Sequence, residues 1–118
     1  MKIDILGTKY DLKLVDYGKD GFMDKMRFGG YCDAGTKQIV ILNLRSCEEW
    51  ENDSDDVIRQ KESETIRHEI IHAFLNESGL QWNSTGTDHW AKNEEMVDWF
   101  AIQMPKIINA FEAAGAIL

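Results

Sequence analysis

Three histidines occur in the chain, and two of them stand four residues apart in His68-Glu69-Ile70-Ile71-His72. On an α-helix this spacing turns the second side chain about 40° from the first and lifts it about 6 Å. Both imidazoles then face one side and can reach a single metal ion at the roughly 2.0–2.1 Å of a Zn–N bond. Glu69 projects at the edge of that face, where its carboxylate can hold a metal-bound water without ligating the metal. The string has the pattern HExxH, and its chemistry is hydrolysis by a metal-activated water with the Glu as general base. With three histidines available, the chance of drawing it at random is about one per cent or less. The plain alternative is a pair of solvated histidines on an amphipathic helix.

A catalytic zinc takes three protein ligands and keeps one position for water, so two histidines are not enough. The longer pattern HExxHxxGxxH would need Gly and His where this chain has Leu75 and Ser78, which removes that source of a third ligand. Asp88, His89, Glu94, Glu95 and Asp98 remain as downstream candidates. Glu94 is the preferred one: it falls on a predicted helix, after a loop long enough to fold that helix back onto the first. Asp98 lies one turn further on, where it can accept the second N–H of a ligating imidazole. Glu95 is about 100° around the helix from Glu94 and is the other candidate for the ligand. His89 reads either as a donor to an oxyanion or as a surface residue. Acids near a helix start also suit the helix dipole, which accounts for any one of the three but not for their spacing after an intact HExxH.

The elements that must carry these residues are of two kinds. Residues 2–16 alternate as a hairpin, with Gly7-Thr8-Lys9 as its turn. The stretch from Asp16 to Phe28 reads as a loop in which Phe22, Met23 and Met26 form a short packed turn. Gly29 to Asp33 resumes a strand, Ala34-Gly35-Thr36-Lys37 turns it, and Gln38 to Leu42 returns as a strand covered on both faces. Ser46 and Glu49 have the spacing of a capping box. The cap formers between Asn52 and Asp56 then start a helix with no breaker until Gly79. Its apolar stripe is Ile66, Ile70, Ala73 and Phe74. After a polar loop, a second helix is predicted from about Ala91, with Pro105 kinking or dividing it. The expectation is a single α+β domain over residues 1–118: a small, mostly antiparallel sheet packed on the HExxH helix, with a ligand-bearing C-terminal helix.

Composition narrows the partners. A net charge of −8, with no lysine- or arginine-rich run, argues against a nucleic-acid surface. No apolar run approaches the 18 or so residues that span a membrane, and the charged N-terminus is unlike a signal peptide. Cys32 and Cys47 share no CxxC spacing and read as reduced, mostly buried thiols of a cytoplasmic protein.

His68-Glu69-x-x-His72 followed by Glu94-x-x-x-Asp98 resembles the gluzincin arrangement HExxH…ExxxD of thermolysin-like peptidases. The chain also resembles the ImmA/IrrE-type metallopeptidases, often encoded on phages and mobile elements. Their second helix commonly reads ExEANxFA with a Met-Pro shortly after. Here Glu94, Phe100, Ala101 and Met104-Pro105 match, while Asp98 replaces the family's Asn. The likeness covers roughly residues 28–105 and is concentrated in the two motifs. It implies a minimal zincin fold and a zinc-dependent endopeptidase acting on a protein or peptide. His68, His72 and Glu94 would hold Zn2+, and Glu69 would serve as base. A catalytically silent, zinc-bearing protein-binding module is the alternative. A purely structural zinc is disfavoured because closed sites of small domains are mostly Cys-rich.

Overall fold

The structure, a computed structural model, describes residues 1–26, 29–83 and 89–117. Strand β1 (Lys2–Ile5) and strand β2 (Thr8–Val15) form the expected hairpin, paired from Lys2↔Asp11 to Ile5↔Thr8. Its turn is Leu6-Gly7 rather than Gly7-Thr8-Lys9: both residues have positive φ, 52° and 89°, as a two-residue type I′ turn demands. Thr8 is already in the strand. Asp4 secures the turn by accepting from the Gly7 N–H at 2.9 Å.

Between the hairpin and the next strand, Gly21–Met26 coils into a short helix, α1, that buries Met23. Strand β3 (Gly30–Asp33) then turns back as β4 (Gln38–Leu42). The sheet order is β1-β2-β4-β3, with β2 and β4 parallel. Two of the three pairings are antiparallel, as expected of a mostly antiparallel sheet, and the β2–β4 seam, which was not expected, makes it mixed. The seam arises because α1 and β3 carry the chain across to the far edge before β4 returns through the middle. The apolar run of β4 follows from that place: Ile39, Val40 and Ile41 are fully buried. Burial of such side chains contributes about 1.5–3 kcal/mol each.

Two single-turn 3-10 helices, Leu44–Ser46 and Glu48–Trp50, lead to the main helix. The Ser46–Glu49 capping box does not form. Asn43 caps the first turn instead, and the Ser46 hydroxyl accepts from the Tyr17 N–H while donating to the Asn43 carbonyl. Helix α2 (Asp55–Glu77) begins where Ser54 Oγ accepts from the Val57 N–H, with Asp55 and Asp56 complementing the dipole of its first turn. It stops at Gly79, whose φ of 83° is cheap only for glycine. Ile66, Ile70 and Ala73 pack on the sheet with Ile5, Tyr10, Ile39 and Ile41. Phe74, expected in that stripe, is largely exposed.

Helix α3 (Glu94–Ala113) starts later than Ala91 because Trp90–Lys92 is a separate 3-10 turn and Asn93 is the cap, accepting from the Met96 N–H at 2.8 Å. It packs antiparallel on α2, where Leu75 and Ile71 meet Ala91, Met96 and Val97. Pro105 neither ends nor divides α3. A proline there deprives the Ala101 carbonyl of its intrahelical donor. Arg67 of α2 supplies one, its Nε donating to that oxygen at 2.5 Å. A bond with a charged donor contributes about 1.5–3 kcal/mol, comparable with the roughly 3 kcal/mol disadvantage of an interior proline. No described helix is long and apolar enough to cross a membrane.

Candidate metal centre

The HExxH string occupies the fourth and fifth turns of α2, away from both ends. His68 and His72 project from one face, with ring centroids 4.8 Å apart and Nε2 atoms 3.1 Å apart. Helix α3 brings Glu94 over that pair: one carboxylate oxygen is 3.1 Å from His68 Nε2 and the other 3.1 Å from His72 Nε2. Three ligand atoms held by one tetrahedral metal at 2.0–2.1 Å would lie about 3.3–3.4 Å from one another. The two Nε2 atoms, 3.1 Å apart, are within a few tenths of an ångström of that, and one atom from each of the three residues can be chosen so that all lie within 4.8 Å of one another. Among the described residues, His68, His72 and Glu94 form the one group whose donor atoms converge closely enough to hold a metal ion.

Electrostatics favour the ligating forms. Asp98 Oδ1 lies 2.7 Å from His68 Nδ1. A carboxylate only accepts, so the His68 Nδ1–H donates to Asp98, which turns Nε2 towards the cluster as the nitrogen that would ligate an ion. Burial lowers the pKa of His72 and keeps its ring neutral, with Glu94 pulling the other way. Two imidazoles and a carboxylate are a donor set that suits zinc. The Glu94 side chain is 63% exposed, so the cluster is open on one side, as a site that keeps a position for water must be.

Glu69 faces the cleft beside the cluster. It is only 7% exposed, and its Oε1 is 4.0 Å from His68 Nε2. Burial pushes its carboxyl up to about 7; the neighbouring His68 lowers it, and the charges of Glu94 and Asp98 raise it further. A carboxyl poised near neutrality is what proton transfer at physiological pH requires.

The remaining candidates are placed elsewhere. Glu95 lines a separate surface hollow with Trp90, Trp99 and Ile102. His89 caps the 3-10 turn before α3 and is exposed. Asp88 lies outside the described residues.

The cleft has a volume of about 470 Å³ and runs between the cluster and β3, reaching Gly30, Tyr31, Cys32, Asn76 and Gln81. Sequence reasoning did not single out these wall residues. Asn76 had a signal, being four residues past His72 on the same helical face; its Nδ2 donates to the His72 carbonyl at 3.0 Å. Gln81 had none, since it follows the helix stop. Its buried Oε1 has no hydrogen-bond partner among the described residues. Burial, with the charge of Glu69, pushes the Cys32 thiol up to about 12, which leaves it a protonated wall residue rather than a thiolate ligand.

β3 is an edge strand. The Leu42 N–H donates to the Gly29 carbonyl at 2.9 Å. Alternation along the antiparallel ladder then turns the main-chain groups of Gly30 and Cys32 away from β4, towards the open edge. Gly30 is required at this edge: a Cβ there would stand 2.9 Å from Thr65 Cγ2 of α2 and 3.0 Å from the Val40 carbonyl oxygen. Beyond Tyr31 and Gln81 a second hollow, walled also by Phe22 and Trp82, continues the cleft. Comparison with protein-family models, with curated proteins and with solved structures returned no match.

Proposed function

We propose that the protein is a zinc-dependent endopeptidase with a minimal zincin fold, similar in its site to gluzincins and to ImmA/IrrE-type peptidases. The observation that carries this reading is the convergence of His68 Nε2 and His72 Nε2, 3.1 Å apart, on the Glu94 carboxylate, one oxygen of which lies 3.1 Å from His68 Nε2 and the other 3.1 Å from His72 Nε2, beside the buried Glu69. His68, His72 and Glu94 would hold the ion. A zinc bound there acidifies a water ligand and polarises a carbonyl oxygen.

The chain's own residues do the rest. Asp98 accepts from His68 Nδ1 and so orients the ring with Nε2 towards the ion. Glu69 takes the proton of the attacking water on its carboxylate and passes it to the departing amine nitrogen. The outward main-chain groups of Gly30 and Cys32 offer an extended peptide one more strand to pair with, giving affinity without regard to side chain. Gln81 Oε1, an acceptor without a donor among the described residues, stands ready for a peptide N–H.

The test joins composition and activity. Metal content is measured on the purified protein, and hydrolysis of a panel of unfolded proteins is compared between wild type and Glu69→Gln. One zinc per chain with activity confined to wild type is the expected result. No stoichiometric zinc overturns the reading. Stoichiometric zinc with both proteins inert on every substrate replaces it with a zinc-bearing binding module.

A further inference from the structure

We propose that Arg67 is a positioning residue for the metal cluster, and that Pro105 creates the acceptor it needs; this rests on the metal-centre reading above. Glu94, Asp98, Ala101 and Pro105 are spaced i, i+4, i+7 and i+11 along α3, so they share one stripe. That stripe faces α2. Glu94 meets both histidines, Asp98 meets His68 Nδ1, and the Ala101 carbonyl meets Arg67 Nε. Arg67 therefore grips α3 one turn past Asp98, from the residue next to the first ligand.

The grip is specific because of proline. In an uninterrupted helix the Ala101 carbonyl would accept from the N–H of residue 105 and have less to offer a neighbouring helix. Pro105 has no N–H, and its ring crowds the carbonyl four residues back. The oxygen is left as a fixed acceptor at a buried position, Ala101 being 1% exposed. Arg67 fills it with a charged donor. Apolar contacts between Leu75, Ile71, Val97 and Met96 set the spacing of the two helices but leave rotation and slide of α3 poorly defined. A hydrogen bond at one point on the stripe removes both freedoms. Glu94 and Asp98 are then presented in register with His68 and His72.

Competition with a chromophoric chelator reads zinc affinity, and the visible absorption of the Co2+-substituted protein reads ligand geometry. Arg67→Leu, which keeps an apolar stem, is expected to weaken zinc binding by about tenfold or more and to alter the Co2+ spectrum. Arg67→Lys, able to donate to the same carbonyl, should recover part of both. In a Pro105→Ala background residue 105 donates to Ala101, so Arg67→Leu should weaken zinc by no more than about twofold. Ile39→Val, a destabilising change in the sheet, should leave affinity and spectrum as in wild type.

The proposal is overturned if Arg67→Leu lowers Tm while affinity and spectrum stay at wild-type values. It also fails if the loss of affinity is equal in the two backgrounds. If wild type holds no zinc, the metal reading fails by itself, and positioning is judged on the metal-free protein. There the NMR contact between the His68 ring and the Asp98 side chain should vanish in Arg67→Leu. Its persistence overturns the proposal.

Discussion

Two glutamates two helical turns apart on α2 are both largely buried and are treated in opposite ways. Glu77, 15% exposed at its side chain, accepts from Lys37 Nζ at 2.6 Å, Tyr10 OH at 2.7 Å and Thr8 Oγ1 at 3.1 Å. Those bonds, Lys37's first, hold its carboxyl below the ordinary range. They also tie an acid to a helix C-terminus, where the dipole alone would repel it. Glu69 is buried with no hydrogen bond among the described residues to offset the loss of water, and its carboxyl rises to about 7. A buried acid surrounded by donors fastens the α2 terminus to the sheet. A buried acid with no such donors among the described residues, beside two convergent imidazoles, has the environment that the proposed proton transfer calls for.

Exchanging each acid for its amide should separate the two roles, and the largest effect is on activity. Glu69→Gln is expected to reduce turnover of an unfolded protein substrate by about 10²–10⁴-fold while bound zinc and the fold persist. Glu77→Gln should do the reverse, lowering Tm by several degrees and leaving zinc content and turnover below Tm near wild type. Equal damage to activity from both changes would break the distinction.

Stability against pH sharpens it further, because the signs differ. Glu77 has a folded pKa below its unfolded value, so its contribution is present above the ordinary carboxylate pKa and fades as pH falls through the folded value. Glu77→Gln should therefore flatten the acid limb of a denaturation-versus-pH profile. Glu69 has a folded pKa raised from 4.5 to about 7, so the metal-free protein loses stability as pH rises across that window. The shift corresponds to roughly 2–4 kcal/mol. Chelated Glu69→Gln protein should accordingly be more resistant to urea than chelated wild type at pH 8, and equal to it near pH 4. A smaller change tests the wall of the cleft. Gly30→Ala must part β3 from Thr65, and should destabilise the protein by about 1–3 kcal/mol and weaken peptide binding more than it weakens zinc.

What the sequence revealed was what local chemistry decides. The HExxH spacing, the Ser54 cap and the Gly79 stop each depend on residues within one or two turns, and the structure has the helix between them. Asn93 followed by Glu94-Glu95 was an equally local cap, readable but obscured by the 3-10 turn before it. Non-local facts were hidden. The donor that the Ala101 carbonyl accepts from beside Pro105 is on Arg67, 34 residues earlier. The β2–β4 seam depends on how the chain crosses the sheet, which no run of alternating residues records. Glu94 and Glu95 were separable only by angle, and packing against α2 turns Glu94 towards the histidines.

The parallel seam also bears on time. Every pair in it joins residues 27 positions apart, from Asp11↔Gln38 to Val15↔Leu42, whereas each hairpin closes a short loop of its own. Closing the longer loop carries the larger entropy loss, so hairpins are expected to form in microseconds and the seam to be the slow event. Until it closes, β3 has no fixed place opposite α2, and the cleft does not exist. A newly made chain would thus pass through its folding with histidines and glutamates in hand but without the groove beside them. On the proposed function, competence would arrive with the last step of assembly.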